Sequence, residues 1–213
     1  MIPVSAPRRV RDRLLRTPDG PVPVLHRGPH ALYLDLDGRC LGVVAASAVQ
    51  VPCALRTRLP VLPAAAEARV EAGVLHLDGV PLRVGRICDA AVPALERDAL
   101  GPLGAAVADL VGAGDGLTPY GDDVLCGWLA VHRATGRATP SVDAAVRDRL
   151  DRTTSLSAAL LDCALHGEVI PEFAAYVAAL GTADEGPATA TLRAVGHSSG
   201  AGLLQGAQWA LAA

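Results

Sequence analysis

Ala31-Leu32-Tyr33-Leu34-Asp35-Leu36-Asp37-Gly38-Arg39-Cys40-Leu41-Gly42-Val43-Val44 decides how the first half of the chain folds. Two apolar runs flank Asp-Gly, and the tight turn that joins antiparallel strands wants positive φ at both central positions, which this dipeptide tolerates best. The pattern returns further on as Gly73-Val74-Leu75-His76-Leu77, then Asp78-Gly79, then Val80-Pro81-Leu82-Arg83-Val84. Prolines at 21, 23, 52, 60, 63 and 81 punctuate this half and belong at strand edges and turns. Residues 1–93 therefore read as a β-rich region built from hairpins.

Past Pro93 the periodicity lengthens to three and four residues, as in Leu156, Leu160, Leu161, Ala164 and Leu165. Helices are expected over residues 118–134, 142–149, 155–166, 171–180, 188–195 and 203–212. The stretch 95–110 also reads as helical apart from Gly101-Pro102 and Gly104. The expected class is α+β: a β-rich N-terminal half with hairpins, packed against an α-helical C-terminal half spanning 94–213.

Composition narrows the function. The 213 residues are 51% hydrophobic and 19% charged, ordinary for a globular protein. A net charge of -3 argues against a phosphate-backbone groove, and six aromatic residues give no platform for stacking single strands, so no nucleic-acid partner is expected. All 19 basic residues are arginine; without lysine there is no Schiff-base chemistry and no P-loop lysine. Cys40, Cys53, Cys88, Cys126 and Cys163 are dispersed without metal-type spacing, which suits reduced thiols. The Arg8-Arg9-Val10-Arg11 run is not followed by an apolar signal core, and no window of 18 apolar residues exists. A cytoplasmic protein without a membrane partner is expected.

The chemistry concentrates in Val111-Gly112-Ala113-Gly114-Asp115-Gly116-Leu117-Thr118-Pro119-Tyr120-Gly121-Asp122-Asp123. Gly112, Gly114 and Gly116 permit backbone conformations that side chains forbid. Thr118-Pro119 reads as an N-cap and first helical residue. A glycine loop feeding a helix start presents unpaired N–H groups, which makes an anion site. Asp115, Asp122 and Asp123 would repel a bare phosphate, and a divalent cation shared with the anion reconciles the two; hard oxygen ligands suit Mg²⁺. The plainer account is that Asp in a first helical turn simply favours the macrodipole. Gly121, costly inside a helix, implies that something approaches the backbone closely there.

Two further segments join it. Gly196-His197-Ser198-Ser199-Gly200-Ala201-Gly202 precedes the last helix, with Ser198 or Ser199 as cap and His197 either contacting an anion or simply packing. Arg152-Thr153-Thr154-Ser155-Leu156-Ser157 offers a guanidinium for a carboxylate and two hydroxyls, or else an N-cap beside a solvated arginine. Elsewhere, His26, His30 and His76 lie in strand or turn contexts and His132 and His166 near helix C-termini, none with zinc-type spacing.

Gly116-Leu117-Thr118-Pro119-Tyr120-Gly121-Asp122-Asp123 resembles the Gly-Leu-Thr-Pro-Ser-Gly-Asp-Asp signature of the AllH-like family, with Tyr120 in place of serine. The turn at 196–202 resembles the family's Gly-His-Ser/Thr-Ser-Gly-Ala-Asp, with Gly202 in place of aspartate, and the segment at 152–157 is also similar. The resemblance covers residues from about 100 onward and is faint before that. It implies a subunit of oxamate carbamoyltransferase, from allantoin and purine degradation, which exchanges a carbamoyl group between oxalurate and phosphate. On that implication the ligand is a small anionic metabolite (phosphate, carbamoyl phosphate, oxamate or oxalurate), and partner subunits are expected. Gly114, Gly116, Thr118, Tyr120, Gly121, Arg152, Thr153, Thr154, Ser198, Ser199 and Gly200 would bind substrate, Asp122, Asp123 and His197 would serve catalysis, and the two aspartates would hold Mg²⁺. A non-catalytic ligand-binding or scaffolding subunit and an independent metal-dependent phosphotransfer enzyme are the alternatives.

Overall fold

The computed structural model describes residues 1–212. The chain runs β1 (Ile2–Pro7), α1 (Arg8–Arg16), β2 (Gly20–Pro21), β3 (Val24–Arg27), β4 (Ala31–Leu36), β5 (Arg39–Val44), β6 (Ala54–Thr57), β7 (Ala68–Glu71), β8 (Val74–Leu77) and β9 (Val80–Cys88). The helices α2 (Val107–Leu110), α3 (Tyr120–Ala134), α4 (Pro140–Arg147), α5 (Ser155–Leu165), α6 (Pro171–Ala179), α7 (Glu185–Arg193) and α8 (Ser199–Leu211) follow, with a 3-10 turn at Leu150–Arg152. The α+β class is as expected from the sequence. Two units divide it, Met1–Asp89 and Ala90–Ala213.

In the first unit both Asp-Gly turns close hairpins: Asp37 and Gly38 have φ of 52° and 73°, Asp78 and Gly79 of 46° and 75°. A third hairpin joins β7 to β8 through Ala72 and Gly73 at φ 48° and 73°. The sequence reading missed it, because alanine is rare in that conformation and Gly73 reads as the start of a strand. The sheet has the order β2-β7-β8-β9-β1-β6-β5-β4-β3. β1 sits at its centre, parallel to β9 and antiparallel to β6. Strict alternation in β4 sends Leu32, Leu34 and Leu36 into the core beside Leu41, Val43, Leu55, Leu75 and Leu82. The arginine run is more than a basic patch. It opens α1, which buries Val10 and Leu14 in the same core while Arg8 and Arg16 lie towards solvent.

The second unit is organised around α3, buried along nearly its whole length, as a helix apolar on every side must be. α8 packs along it. Ascending pairs (Tyr120 and Asp123 with Gly202, Val124 and Trp128 with Gly206) show that the two helices run parallel. Glycine permits this. A Cβ on Gly127 would lie 2.1 Å from the Leu203 carbonyl oxygen, and one on Gly206 would lie 1.9 Å from that of Val124. The two backbones therefore touch, and no other residue fits at either place.

Several helix boundaries differ from expectation. Residues 95–110 hold only the short α2, because the chain before it lies flat against the end of α8: a Cβ on Gly101 would meet the Trp209 carbonyl at 2.2 Å, and one on Gly104 the indole at 2.6 Å. Trp128 also donates Nε1–H to the Gly101 carbonyl at 3.3 Å. α8 begins a turn earlier than the reading of 203–212, at Ser199, with Ser198 as a cap that makes no side-chain bond. α3 starts at Tyr120 with Pro119 as N-cap, so Thr118 is not the cap the sequence suggested. Its hydroxyl is engaged elsewhere. Among the described residues no helix is long and apolar enough to cross a membrane.

Candidate functional site

Because α3 and α8 run parallel in close contact, their N-terminal turns lie side by side, and the positive ends of two helix dipoles meet in one region. The glycine loop leads into it with Gly112, Gly114 and Gly116 at φ 74°, 116° and 90°. The amides of Gly114, Asp115, Gly116, Leu117 and Thr118 donate to no acceptor among the described residues, and residues 113–117 are exposed. Gly114 also has to be glycine for space, since a Cβ there would sit 2.8 Å from the Tyr120 nitrogen.

The two aspartates of the first α3 turn face opposite ways. Asp122, fully buried, accepts from the Gly112 amide at 2.9 Å, from the Ser157 hydroxyl at 2.7 Å and from the Thr153 hydroxyl. It ties the glycine loop and the start of α5 to α3. Thr154 adds a second tie: it caps α5 by accepting from the Ser157 amide at 3.0 Å and donates to the Leu117 carbonyl at 2.5 Å. This bears out the N-cap reading of the segment. Ser157 had no role in the sequence reading. Its signal is a hydroxyl three residues after a capping threonine, on a face that is otherwise apolar.

Asp123 lies against α8. It is 4% exposed, and its Oδ2 has no hydrogen-bond partner among the described residues. Burial pushes the carboxyl up to about 7, opposed by hydrogen bonds from the Ser199 and Thr118 hydroxyls, with the Asp122 charge raising it further. The Thr118 and Ser199 hydroxyl oxygens are themselves 2.9 Å apart. A Cβ at Gly202 would lie 2.7 Å from the Asp123 Cβ, so this small residue is what admits Asp123 to the interface between the helices.

Other expected site residues lie further out or serve the frame. Gly121 answers to backbone contact, with the Leu110 carbonyl oxygen 2.1 Å from a Cβ built there, and Gly200 to the Leu192 carbonyl at 1.9 Å. His197 and Arg152 are exposed, and their side chains make no hydrogen bond or ion pair among the described residues. Tyr120 is 39% exposed and Leu117 50% exposed, so an apolar rim flanks the loop. Among the described residues no group of three His, Cys, Asp or Glu side chains is arranged to hold a metal ion.

A family model described as oxamate carbamoyltransferase subunit AllH matches residues 110–211. Over this stretch the chain is similar to the AllH family. No curated protein and no solved structure matches the chain. The AllH match runs from the last residue of α2 to the last of α8, so it contains the glycine loop, both aspartates, the Thr153–Ser157 network and the Ser199 turn in one segment.

Proposed function

We propose that the chain acts as a subunit of an oxamate carbamoyltransferase-type complex, exchanging a carbamoyl group between oxalurate and phosphate, and binds its anionic ligand where α3 and α8 begin. The observation that carries this reading is the run of acceptor-less amides at 114–118 beside two adjacent helix N-termini, inside the segment that matches the AllH family. Such donors are fixed before the ligand arrives, so a phosphate or carboxylate meets them without reorganisation, and oxyanion charge that develops during acyl transfer is stabilised by the same groups. Thr118 and Ser199 offer hydroxyls at the same place. Arg152 and His197, both exposed, are available to a ligand or a partner subunit.

Asp122 is committed to three protein donors and Asp123 is enclosed, so this reading gives the carboxylates hydrogen-bonding duties and routes no step through Mg²⁺. A second reading, a binding subunit without chemistry of its own, is favoured by Gly202, where the family resemblance calls for an aspartate.

Thermal unfolding with phosphate, carbamoyl phosphate, oxamate and oxalurate, each with and without Mg²⁺, tests the site. Ligand at a hundredfold its Kd adds about 2.7 kcal/mol, which raises the midpoint by roughly 5–10 °C. Gly114→Ala, strained at φ 116°, should abolish the shift. No shift with any of the four compounds would overturn the assignment. Turnover in a reconstituted complex, present or absent, separates the catalytic reading from the binding one.

A further inference from the structure

The segment from Gly20 to Arg27 is two strands by pairing and one by chain. Gly20 and Pro21 pair with Val70 and Arg69 of β7, and the Val22 amide still donates to the Ala68 carbonyl at 2.8 Å. One residue later the Pro23 carbonyl accepts from Asp35, and Val24, His26 and Arg27 pair with β4. β2 and β3 are the two ends of the sheet order, so this bent segment closes the sheet into a barrel. The barrel's two ends differ. α1 covers the one that holds the turns at 36–39 and 72–73: Arg13 donates to the Leu36 and Arg39 carbonyls, and Leu15 lies against Gly73. At the other end, beside the turns at 28–30 and 78–79, the loop from β6 to β7 leaves a cavity of about 600 Å³. Its floor is apolar, because Leu32 and Leu62 are buried members of the barrel core. Its rim carries Arg27 and Asp78.

The rim is already part-built for a charged group. Arg27 donates Nε–H to the Ala65 carbonyl at 2.9 Å and Nη2–H to the Ala66 carbonyl at 2.6 Å, which holds the guanidinium across the mouth. Its Nη1 makes no hydrogen bond or ion pair among the described residues, and the amides of Ala64 and Ala65 donate to no acceptor there either. Asp78, the one carboxylate among the lining residues, is engaged: it accepts from the Ala66 amide at 3.0 Å and the Glu67 amide at 2.8 Å. We propose that this barrel mouth binds a small monocarboxylate with an apolar body, the body over Leu32 and Leu62 and the carboxylate on Arg27 and the loop amides. The volume is that of a small-molecule site, and the mouth of an eight-stranded barrel is where such a fold has room for one ligand. A guanidinium with a free edge beside backbone N–H groups suits a planar carboxylate, whereas an ammonium would find Asp78 already paired. A bare phosphate brings nothing to cover the apolar floor. Every lining residue belongs to the first unit, so the inference does not depend on the anion-site reading above.

The test titrates the full chain with octanoate and with octanol, the same apolar body without the charge, and follows the backbone amides by NMR. Octanoate should shift the amides of Gly28, Leu32, Leu62 and Ala64 to Ala66 and saturate at one equivalent. Octanol should bind at the same place at least about tenfold more weakly, since hydrogen bonds to a charged group discriminate by that factor or more. Arg27→Gln keeps a donor for the loop and removes the charge, so it should bring octanoate to within about twofold of octanol. The variant's amide spectrum reports whether it is folded, and the comparison of the two compounds on the wild type stands without it. Octanoate shifts that miss these amides, or equal affinity for the two compounds, would overturn the proposal. So would a folded Arg27→Gln variant that keeps the full preference.

Discussion

The two flanks of the first α3 turn, a single residue apart in sequence, are built on opposite plans. The α5 flank carries Asp122, buried and bonded to a backbone amide and two hydroxyls. The α8 flank carries Asp123, equally buried but short of donors, against a neighbour whose glycines let the backbones touch. The first flank spends its polar groups on holding the loop in place; the second leaves them unspent. A site needs both, because an unsatisfied group persists only where its surroundings are fixed by something else.

Breaking the satisfied flank should have the largest effect. Asp122→Ala leaves the Gly112 amide and two hydroxyls without their acceptor, and hydrogen bonds to a charged group contribute roughly 1.5–3 kcal/mol each. A loss of about 4 kcal/mol in urea unfolding is expected, with protease cleavage appearing in the glycine loop; a loss below about 1 kcal/mol would show that Asp122 is no tie. Next comes the close contact on the other flank. Gly206→Ala drives a Cβ to within 1.9 Å of the Val124 carbonyl, and forced separation of α3 and α8 should cost about 3 kcal/mol, read as a drop in melting midpoint.

Asp123→Asn should go the other way. The folded carboxyl titrates near 7 instead of 3.8, so the folded state holds a proton that the unfolded state releases. Wild-type stability from this group is therefore full below about pH 4 and is lost as pH rises to 7 and beyond. Asparagine has no such dependence, so the variant should gain on the wild type by about 2–3 kcal/mol between pH 5 and pH 8. Equal effects at the two pH values would place the two aspartates on the same footing. The smallest effect belongs to Thr154→Ala, which removes a cap and the tie to Leu117 and should cost about 1 kcal/mol.

What was legible from the sequence followed the range of the forces involved. The Asp37-Gly38 and Asp78-Gly79 turns were readable because positive φ is a local demand with a local signature. The Thr154 cap and the strand alternation at 31–36 were local as well. Gly121 announced a close approach without naming what approached, and the Leu110 carbonyl could come only from the fold. The contact between α3 and α8 was not seen, although Gly202 and Gly206 are four residues apart and share a helix face. That spacing marks a small-residue stripe, but its partner lies some eighty positions earlier. The different fates of Asp122 and Asp123 were likewise invisible, since which way each side chain faces depends on two helices that start beyond residue 150.

Trp128 and Trp209 are the only tryptophans in the chain. The first lies buried in α3 with its indole nitrogen on the Gly101 carbonyl, and the second lies on α8 beside Gly104. Tryptophan fluorescence, excited selectively over tyrosine, therefore arises from the helical unit alone and not from residues 1–89. Far-ultraviolet dichroism sees both units. An unfolding experiment that follows the two signals together will show whether the sheet and the helices melt as one or in sequence, with no label added.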